Sequence, residues 1–286
     1  MPDFTKLFKR IIKYILRKFN IKIVRINEFK NVTLRKYENY SYEEYEPSEF
    51  CEKDKDSLLE FDKFIEANRK LMDFKDKINH LYYSKKWELG QGVLYTNNMF
   101  YQSFERLQIE GQRPTTLRFY AYGLDKLLRK EHNVLDIGSN CGFFALYISD
   151  YVCSVDSIEF NKELVDIANA TKDFLKIDNC NFHYADFRQF TFTRKYDVIL
   201  SFAVHYWIGM TMGEYSSHLS NLLNENGFVI LESQDINTKD EDFEEKIKEF
   251  CNDRFKVIYG GKIMTDKDYP RFFKILLKYH PSINDK

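Results

Sequence analysis

Asn133-Val134-Leu135-Asp136-Ile137-Gly138-Ser139-Asn140-Cys141-Gly142-Phe143-Phe144-Ala145-Leu146-Tyr147-Ile148-Ser149 is the stretch that decides the fold. It reads as a buried strand, a glycine-kinked turn and the first turns of a helix, with an acid two residues before the first glycine. Val134, Leu135 and Ile137 supply the apolar strand. Gly138 and Gly142 let the backbone turn sharply and approach a ligand closely, where a Cβ would collide. A helix starting near Gly142 aims its N-terminal amides at whatever is bound. Together these features describe a nucleotide-binding crevice.

The dinucleotide fingerprint G-x-G-x-x-G requires glycine at three places that here hold Gly138, Asn140 and Phe143, so a nicotinamide dinucleotide is disfavoured. What remains, Asp-x-Gly-x-Asn-x-Gly, resembles the first motif of the class I S-adenosylmethionine-dependent methyltransferases, with Asn140 in place of the usual central glycine. The resemblance implies that Asp136, Gly138 and Gly142 hold the methionine end of S-adenosylmethionine, and Asn140 joins them in the cofactor-binding set. It covers about residues 115 to 280.

The 286-residue chain carries 44% hydrophobic and 17% aromatic residues, enough for a substantial core, and 30% charged residues for a soluble surface. A net charge of -1 gives no global reason to expect a polyanionic partner. Cys51, Cys141, Cys153, Cys180 and Cys251 are odd in number and lack C-x-x-C spacing, which indicates reduced thiols in a cytosol and neither a disulfide framework nor a zinc site.

A doubly wound domain usually begins with its nucleotide-binding strand, so the residues before it form an extension. The first thirty residues hold nine Lys or Arg against Asp3 and Glu28, a local charge of +7. Phe4, Leu7, Phe8, Ile11, Ile12, Ile15 and Phe19 recur at helical intervals, giving a basic amphipathic helix within residues 1-20. Charges interrupt every apolar run, which excludes a transmembrane span. Residues 4-19 suit an anionic membrane surface, and the alternative is a helix docked on its own protein. Residues 21-113 read as a partly helical extension with an acidic, tyrosine-rich linker at 37 to 56 and a helix over 57 to 79. A helix from Thr115 to about Lys130 leads into the catalytic domain, taken as 114-286.

From residue 133 onward strand-like and helix-like stretches alternate, the pattern of a parallel sheet covered on both faces. Strands are expected at 133-137, 155-160, 181-184, 196-202 and 227-232, and helices at 142-150, 162-176, 213-224 and 241-252. Phe255 to Tyr259 and Arg271 to Lys278 add two strands, joined by a turn at Gly260-Gly261. The expectation is an α/β, doubly wound, mainly parallel seven-stranded methyltransferase sheet with a helical N-terminal extension.

Ligands in such a sheet lie outside the carboxyl ends of the strands. Glu159, after the second strand, is placed to accept both ribose hydroxyls, the use the family makes of it. Asp186 and Phe187, after the third, would meet the adenine amino group and ring. Ser201 to Trp207 follow the fourth strand and by resemblance face the sulfonium and the acceptor, where aromatic faces attract a cation without acting as nucleophiles. Ser201 joins the cofactor-binding set. His205, set among Tyr206 and Trp207, is the candidate general base, which a hydroxyl acceptor needs and a carboxylate or phosphate does not. Tyr101, Gln112, Arg113, Tyr206, Trp207 and Glu232 are acceptor-binding candidates, and Arg113 could pair with a carboxylate. No acidic cluster has metal-ligand spacing, so no metal is expected.

These readings lead to an expected methyl transfer from S-adenosylmethionine to a hydroxyl or other oxygen of a surface-polysaccharide component or its precursor, by a cytoplasmic enzyme peripheral on the membrane's inner face. The expected partner is a small-molecule or glycan acceptor. An RNA or tRNA methyltransferase is the main alternative, because Ala-Val-His-Tyr-Trp-Ile loosely resembles a segment of RNA-cap and wobble-uridine alkyltransferases. A non-catalytic cofactor-binding subunit is the third reading.

Overall fold

The computed structural model describes residues 52–84, 100–263 and 270–279. The basic helix expected at 4-19 and the linker at 37–51 lie outside the described residues. By internal contacts the chain divides into two units, Met1–Lys70 and Leu71–Lys286. The boundary falls within α1 (Glu52–Ser84), a helix longer than expected that takes in the last residues of the supposed linker. Residues 71–113 therefore belong to the same unit as the sheet. Phe74 stacks on Phe174 at 4.2 Å between centroids, and Tyr82 packs on Phe100 at 4.4 Å.

The passage before the core forms a parallel ribbon of β1 (Phe100–Gln102) and β2 (Gly111–Arg113). Gly111 is required there, since a Cβ would lie 2.2 Å from the carbonyl carbon of Gln102. Phe104, just after β1, stacks on Phe143 at 5.3 Å. The single helix expected from Thr115 is two, α2 (Thr115–Ala121) and α3 (Leu124–Leu127). Gly123 separates them with φ 68°, a left-handed conformation that ends a right-handed helix.

The elements that follow are β3 (Asn133–Ile137), α4 (Phe143–Ile148), β4 (Ser154–Glu159), α5 (Lys162–Leu175), β5 (Cys180–Tyr184), β6 (Tyr196–Phe202), α6 (His205–Ile208), α7 (Met212–Leu222), β7 (Leu223–Glu232), α8 (Phe243–Cys251), β8 (Phe255–Ile263) and β9 (Arg271–Lys278). They build one seven-stranded sheet in the order β5-β4-β3-β6-β7-β9-β8. The first five pair in parallel, and β9 runs antiparallel to both β7 and β8. The expected strands and helices agree to within a few residues, apart from β7, which starts at Leu223. The Gly260-Gly261 turn is overturned. Both glycines sit inside β8, paired with Lys274 and Phe273. They are glycine because a Cβ at Gly260 would lie 2.8 Å from the Phe273 carbonyl oxygen, and one at Gly261 would lie 3.0 Å from the Phe273 ring.

Burial on both faces explains the near-continuous apolar runs of the central strands. In β3, Val134 enters one core layer while Leu135 and Ile137 enter the other. In β6, Val198 and Leu200 oppose Ile199 in the same way. Each fully buried side chain of this size contributes about 1.5–3 kcal/mol, which makes the strand order insensitive to single surface changes. Strand order reverses between β3 and β6, and the crevice at such a switch point is where an open α/β sheet takes its ligand.

Candidate functional site

The loop after β3 is held as its sequence requires. Gly138, Asn140 and Gly142 all have positive φ, at 70°, 55° and 70°. Asn140 thus adopts the conformation a glycine would, as asparagine tolerates better than most residues. Its amide donates to Glu159 Oε2 at 2.9 Å, and Glu159 Oε1 accepts from the Asn161 amide at 3.0 Å. Glu159 therefore ties the loop to the end of β4. Burial pushes its carboxyl above the ordinary glutamate range, against the backbone bonds that pull it down. The room left by the glycines is filled by protein. A Cβ at Gly138 would lie 2.6 Å from Val204 Cγ2, and one at Gly142 would lie 2.4 Å from the Phe182 ring.

Asp136, at the end of β3, is 2% exposed. Burial pushes its carboxyl up to about 7, with Arg118 opposing and Glu159 adding to the rise. Arg118 Nη1, Asp136 Oδ2, Ser139 Oγ and His205 Nδ1 are all buried with no hydrogen-bond partner within the described protein. They lie at the carboxyl ends of β3 and β6 or reach toward them, so the crevice carries polar atoms that the fold itself does not satisfy.

His205 opens α6 and is 6% exposed. Its Nε2 lies 3.1 Å from Asp240 Oδ2 and 3.2 Å from Oδ1. Asp240 also accepts from Lys246 Nζ at 2.8 Å and from the Gln234 amide. Burial pushes the Asp240 carboxyl up, but the bonds from His205, Lys246 and Gln234 outweigh it and hold it below the ordinary aspartate range. An ionised Asp240 accepts a hydrogen from Nε2, which in the neutral imidazole leaves the lone pair on Nδ1. Ala203, two residues earlier, has φ 57°, a strained conformation for alanine. Its amide donates to the Glu232 carbonyl at 3.0 Å, and its carbonyl accepts from Gln234 Nε2, so β7 imposes the turn that presents His205.

The remaining expected residues divide by position. Tyr206 and Trp207 are 52% and 59% exposed beside His205, edge to face at 5.2 Å, with Lys239 Nζ 4.5 Å from the Trp207 centroid. Ser201 Oγ bonds Tyr215 Oη at 2.9 Å within the core. Phe187 is buried, packed edge-on against Phe192 and Tyr215. Both oxygens of Asp186 are engaged by Arg188, at 2.7 and 3.2 Å, and these bonds lower its pKa. Gln112 and Arg113 lie on β2. Arg113 is fixed from its backbone, where its carbonyl accepts from the Ser103 amide at 3.1 Å. Glu232 is 1% exposed, accepting from Arg118 Nη2 at 2.9 Å, Arg271 Nη1 at 3.1 Å and the Tyr122 hydroxyl. Its burial raises its pKa, but Arg118, Arg271 and Arg113 outweigh that and leave it below the ordinary glutamate value. Both oxygens of Glu232 are thus spent on protein groups.

Sequence reasoning missed Arg118, Asp240, Lys246 and Arg271. Arg118 and Arg271 carry a faint signal, each a cation inside an apolar run, Thr-Leu-Arg-Phe-Tyr and Arg-Phe-Phe-Lys-Ile-Leu-Leu. Among the described residues no three His, Cys, Asp or Glu side chains are grouped to hold a metal ion, and no helix is long and apolar enough to cross a membrane.

A family model described as a methyltransferase domain matches residues 128–274, more than half of the 286-residue chain. The chain belongs to this methyltransferase family. The N-methyltransferase NodS from Bradyrhizobium japonicum WM9, solved with S-adenosyl-L-homocysteine, is 15% identical with a TM-score of 0.50, over 70% of this chain and 98% of that one. An S-adenosylmethionine-dependent methyltransferase from Clostridium acetobutylicum ATCC 824 is 12% identical, TM-score 0.48, over 62% and 95%. An rRNA methylase from Streptococcus thermophilus is 11% identical, TM-score 0.47, over 57% and 96%. No curated protein matches the sequence at a significant level. The family makes this chain a class I methyltransferase that uses S-adenosylmethionine. The site's residues fit that cosubstrate. Asp136 Oδ2 and Ser139 Oγ would hold its polar amino-acid end, and Glu159 at the end of β4 would hold its ribose.

Proposed function

We propose that this methyltransferase modifies a hydroxyl oxygen of a saccharide, a component of a surface polysaccharide or its precursor, with His205 as general base. The observation that carries this reading is the Asp240–His205 pair. Nε2 is anchored at 3.1 Å to a buried carboxylate, and Nδ1 is buried with no partner within the described protein. A carboxylate or phosphate acceptor would need no base, and an oriented one would then be without purpose.

S-adenosylmethionine supplies a methyl carbon bound to a sulfonium, which the acceptor oxygen takes as the carbon–sulfur bond breaks in line. His205 Nδ1 takes the hydroxyl proton as the oxygen–carbon bond forms. Asp240 stabilises the imidazolium through Nε2–H, and Lys246 and the Gln234 amide keep Asp240 ionised and in place. The strained turn at Ala203 fixes the ring's position, which in-line displacement demands. The exposed Tyr206–Trp207 pair offers flat apolar faces of the kind sugar rings pack on. The basic leader at residues 4-19 supports placement of the enzyme on the cytoplasmic face of a membrane, near lipid-linked or membrane-assembled glycans.

The test is a mass-spectrometric screen of cell-extract fractions for the gain of one methylene mass, followed by assay of His205→Gln on the acceptor found. Turnover should fall by about 10²- to 10⁴-fold while cofactor affinity stays nearly unchanged. A product in the RNA fraction, or a loss of only a few-fold, would overturn the reading.

A further inference from the structure

Two buried groups of opposite charge at the carboxyl edge of the sheet each leave one atom unmatched. Arg118, on α2, is 1% exposed, and Asp136, at the end of β3, is 2% exposed. Arg118 spends two of its three nitrogens on protein, Nε on the Tyr122 hydroxyl at 3.0 Å and Nη2 on Glu232 Oε2 at 2.9 Å. Its Nη1 is buried with no hydrogen-bond partner within the described protein, and so is Asp136 Oδ2. The two groups are near enough for Arg118 to lower the Asp136 pKa against the larger effect of burial. Leaving the unmatched donor of a cation and the unmatched acceptor of a carboxyl in one interior is costly, and a ligand that completes both removes the cost.

The guanidinium is held where such a ligand would reach it. Its central carbon lies 4.8 Å from the centre of the Phe202 ring and 5.4 Å from that of Phe144. Phe202 is the last residue of β6, and Phe144 stands in the first turn of α4, directly after the glycine loop. β3 and β6 are neighbours, with Ile137 paired to Ser201. Arg118 therefore faces the switch point from in front of the sheet, while Asp136 and Ser139, whose Oγ is also buried without a partner, face it from β3 and its loop. The ligand that completes them must bring a cationic donor to Asp136 and an anionic acceptor to Arg118. The methionine end of the cosubstrate bears both on one carbon. Arg118 precedes residues 128–274, the stretch that the methyltransferase family model matches, so its role rests on this chain's own structure.

We propose that Arg118 binds the α-carboxylate of S-adenosylmethionine while Asp136 takes its ammonium, so that a side chain from outside the sheet makes the crevice selective for a zwitterionic ligand. The Glu232 and Tyr122 bonds aim the guanidinium, and its planar fork serves Glu232 with one terminal nitrogen and the ligand with the other. The inference holds whatever the acceptor is.

The test titrates the full-length protein calorimetrically with S-adenosylhomocysteine, with its analogue lacking only the carboxylate and with its analogue lacking only the amino group. The wild type should bind S-adenosylhomocysteine at least about tenfold more tightly than either analogue. Arg118→Gln should lose about 10- to 150-fold in affinity for the two carboxylate-bearing ligands and less than about threefold for the decarboxylated one. Asp136→Asn should do the reverse, sparing the deaminated ligand. If Arg118→Gln does not fold, Arg118→Lys, which keeps a charge for Glu232 but has one nitrogen in place of three, should lose the same preference. Should neither fold, the wild-type affinities decide. Equal wild-type binding of S-adenosylhomocysteine and its decarboxylated analogue would overturn the proposal. So would a carboxylate preference that survives in a folded Arg118 variant, which would give the carboxylate to another group, or a parallel loss of all three ligands there, which would make Arg118 a structural residue only.

Discussion

Replacing Glu232 with glutamine removes one negative charge and nothing else of size, at the point where two buried guanidiniums converge. Oε2 accepts from Arg118 Nη2 at 2.9 Å and Oε1 from Arg271 Nη1 at 3.1 Å, with all three side chains at most 5% exposed. The glutamine amide must also turn a donor toward one of these donors. Removing one partner of a buried pair costs about 3–5 kcal/mol, because the remaining charge is left uncompensated. Against a typical domain stability of about 5–15 kcal/mol that is a large fraction. At roughly 2–4 °C per kcal/mol for a domain of this size, the melting temperature should fall by about 6–20 °C. The pH dependence has a definite sign. Glu232 is held below its ordinary value in the fold, so its stabilisation is present above the unfolded value of about 4.3 and is lost as pH falls through the folded one. The difference between wild type and Glu232→Gln, followed by thermal and urea unfolding, should be largest near neutrality and shrink in acid below about pH 4. A variant within about 1 kcal/mol of wild type at pH 7 would refute the view that Glu232 is the counter-charge of these arginines.

Three further outcomes are expected. Glu159→Ala should weaken S-adenosylhomocysteine binding by about 10- to 150-fold in calorimetry, the value of a hydrogen bond to a charged group, and Gly138→Val should abolish it, because φ is 70° and the new Cβ would sit 2.6 Å from Val204 Cγ2; retained affinity in both would remove the loop from the site. Asp136, whose carboxyl sits at about 7 in the ligand-free fold, should make that binding strengthen from about pH 6 to 8, as its ionised form meets the ligand's ammonium; the same raised value costs the ligand-free protein stability from about pH 4 to 7. Asp136→Asn should flatten the binding profile, and an unchanged slope would assign it to another group. Finally, anionic liposomes should sediment the full-length protein, less so in high salt and not after deletion of residues 1–20, each Lys or Arg contributing on the order of 1 kcal/mol at the surface; loss of folding on deletion would return the helix to the protein's own core.

The fold was legible because its signals are local. Val134, Leu135 and Ile137 are all apolar because a central parallel strand is buried on both faces, and Gly138 and Asn140 are of the residue types that tolerate the positive φ both adopt. The misreadings come from the same source. Gly260-Gly261 has the composition of a turn, yet both residues are glycine because the Phe273 strand passes too close for a Cβ, a fact about a partner twelve or more residues away. The Thr115–Lys130 helix was read through Gly123, which costs a helix little in composition and ends it in geometry.

The candidate site was legible only in part, for a physical reason that also bears on its chemistry. His205 and Glu232 follow strands, and topology alone places strand ends in the crevice. Asp240 reaches His205 across thirty-five residues and Arg118 reaches Glu232 across one hundred and fourteen, from a loop and from a helix that precedes the first strand of the sheet, and neither carries a periodicity to mark it. What the sequence did show was an imbalance, cations standing inside apolar runs at Arg118 and Arg271. In a folded domain such a cation is buried by its neighbours, so a counter-charge must come from elsewhere in the chain or from a ligand. Glu232 supplies that charge to both Arg118 and Arg271. The pairings span one hundred and fourteen and thirty-nine residues, so the compensation that makes each buried cation tolerable is a long-range contact that no local window of sequence displays.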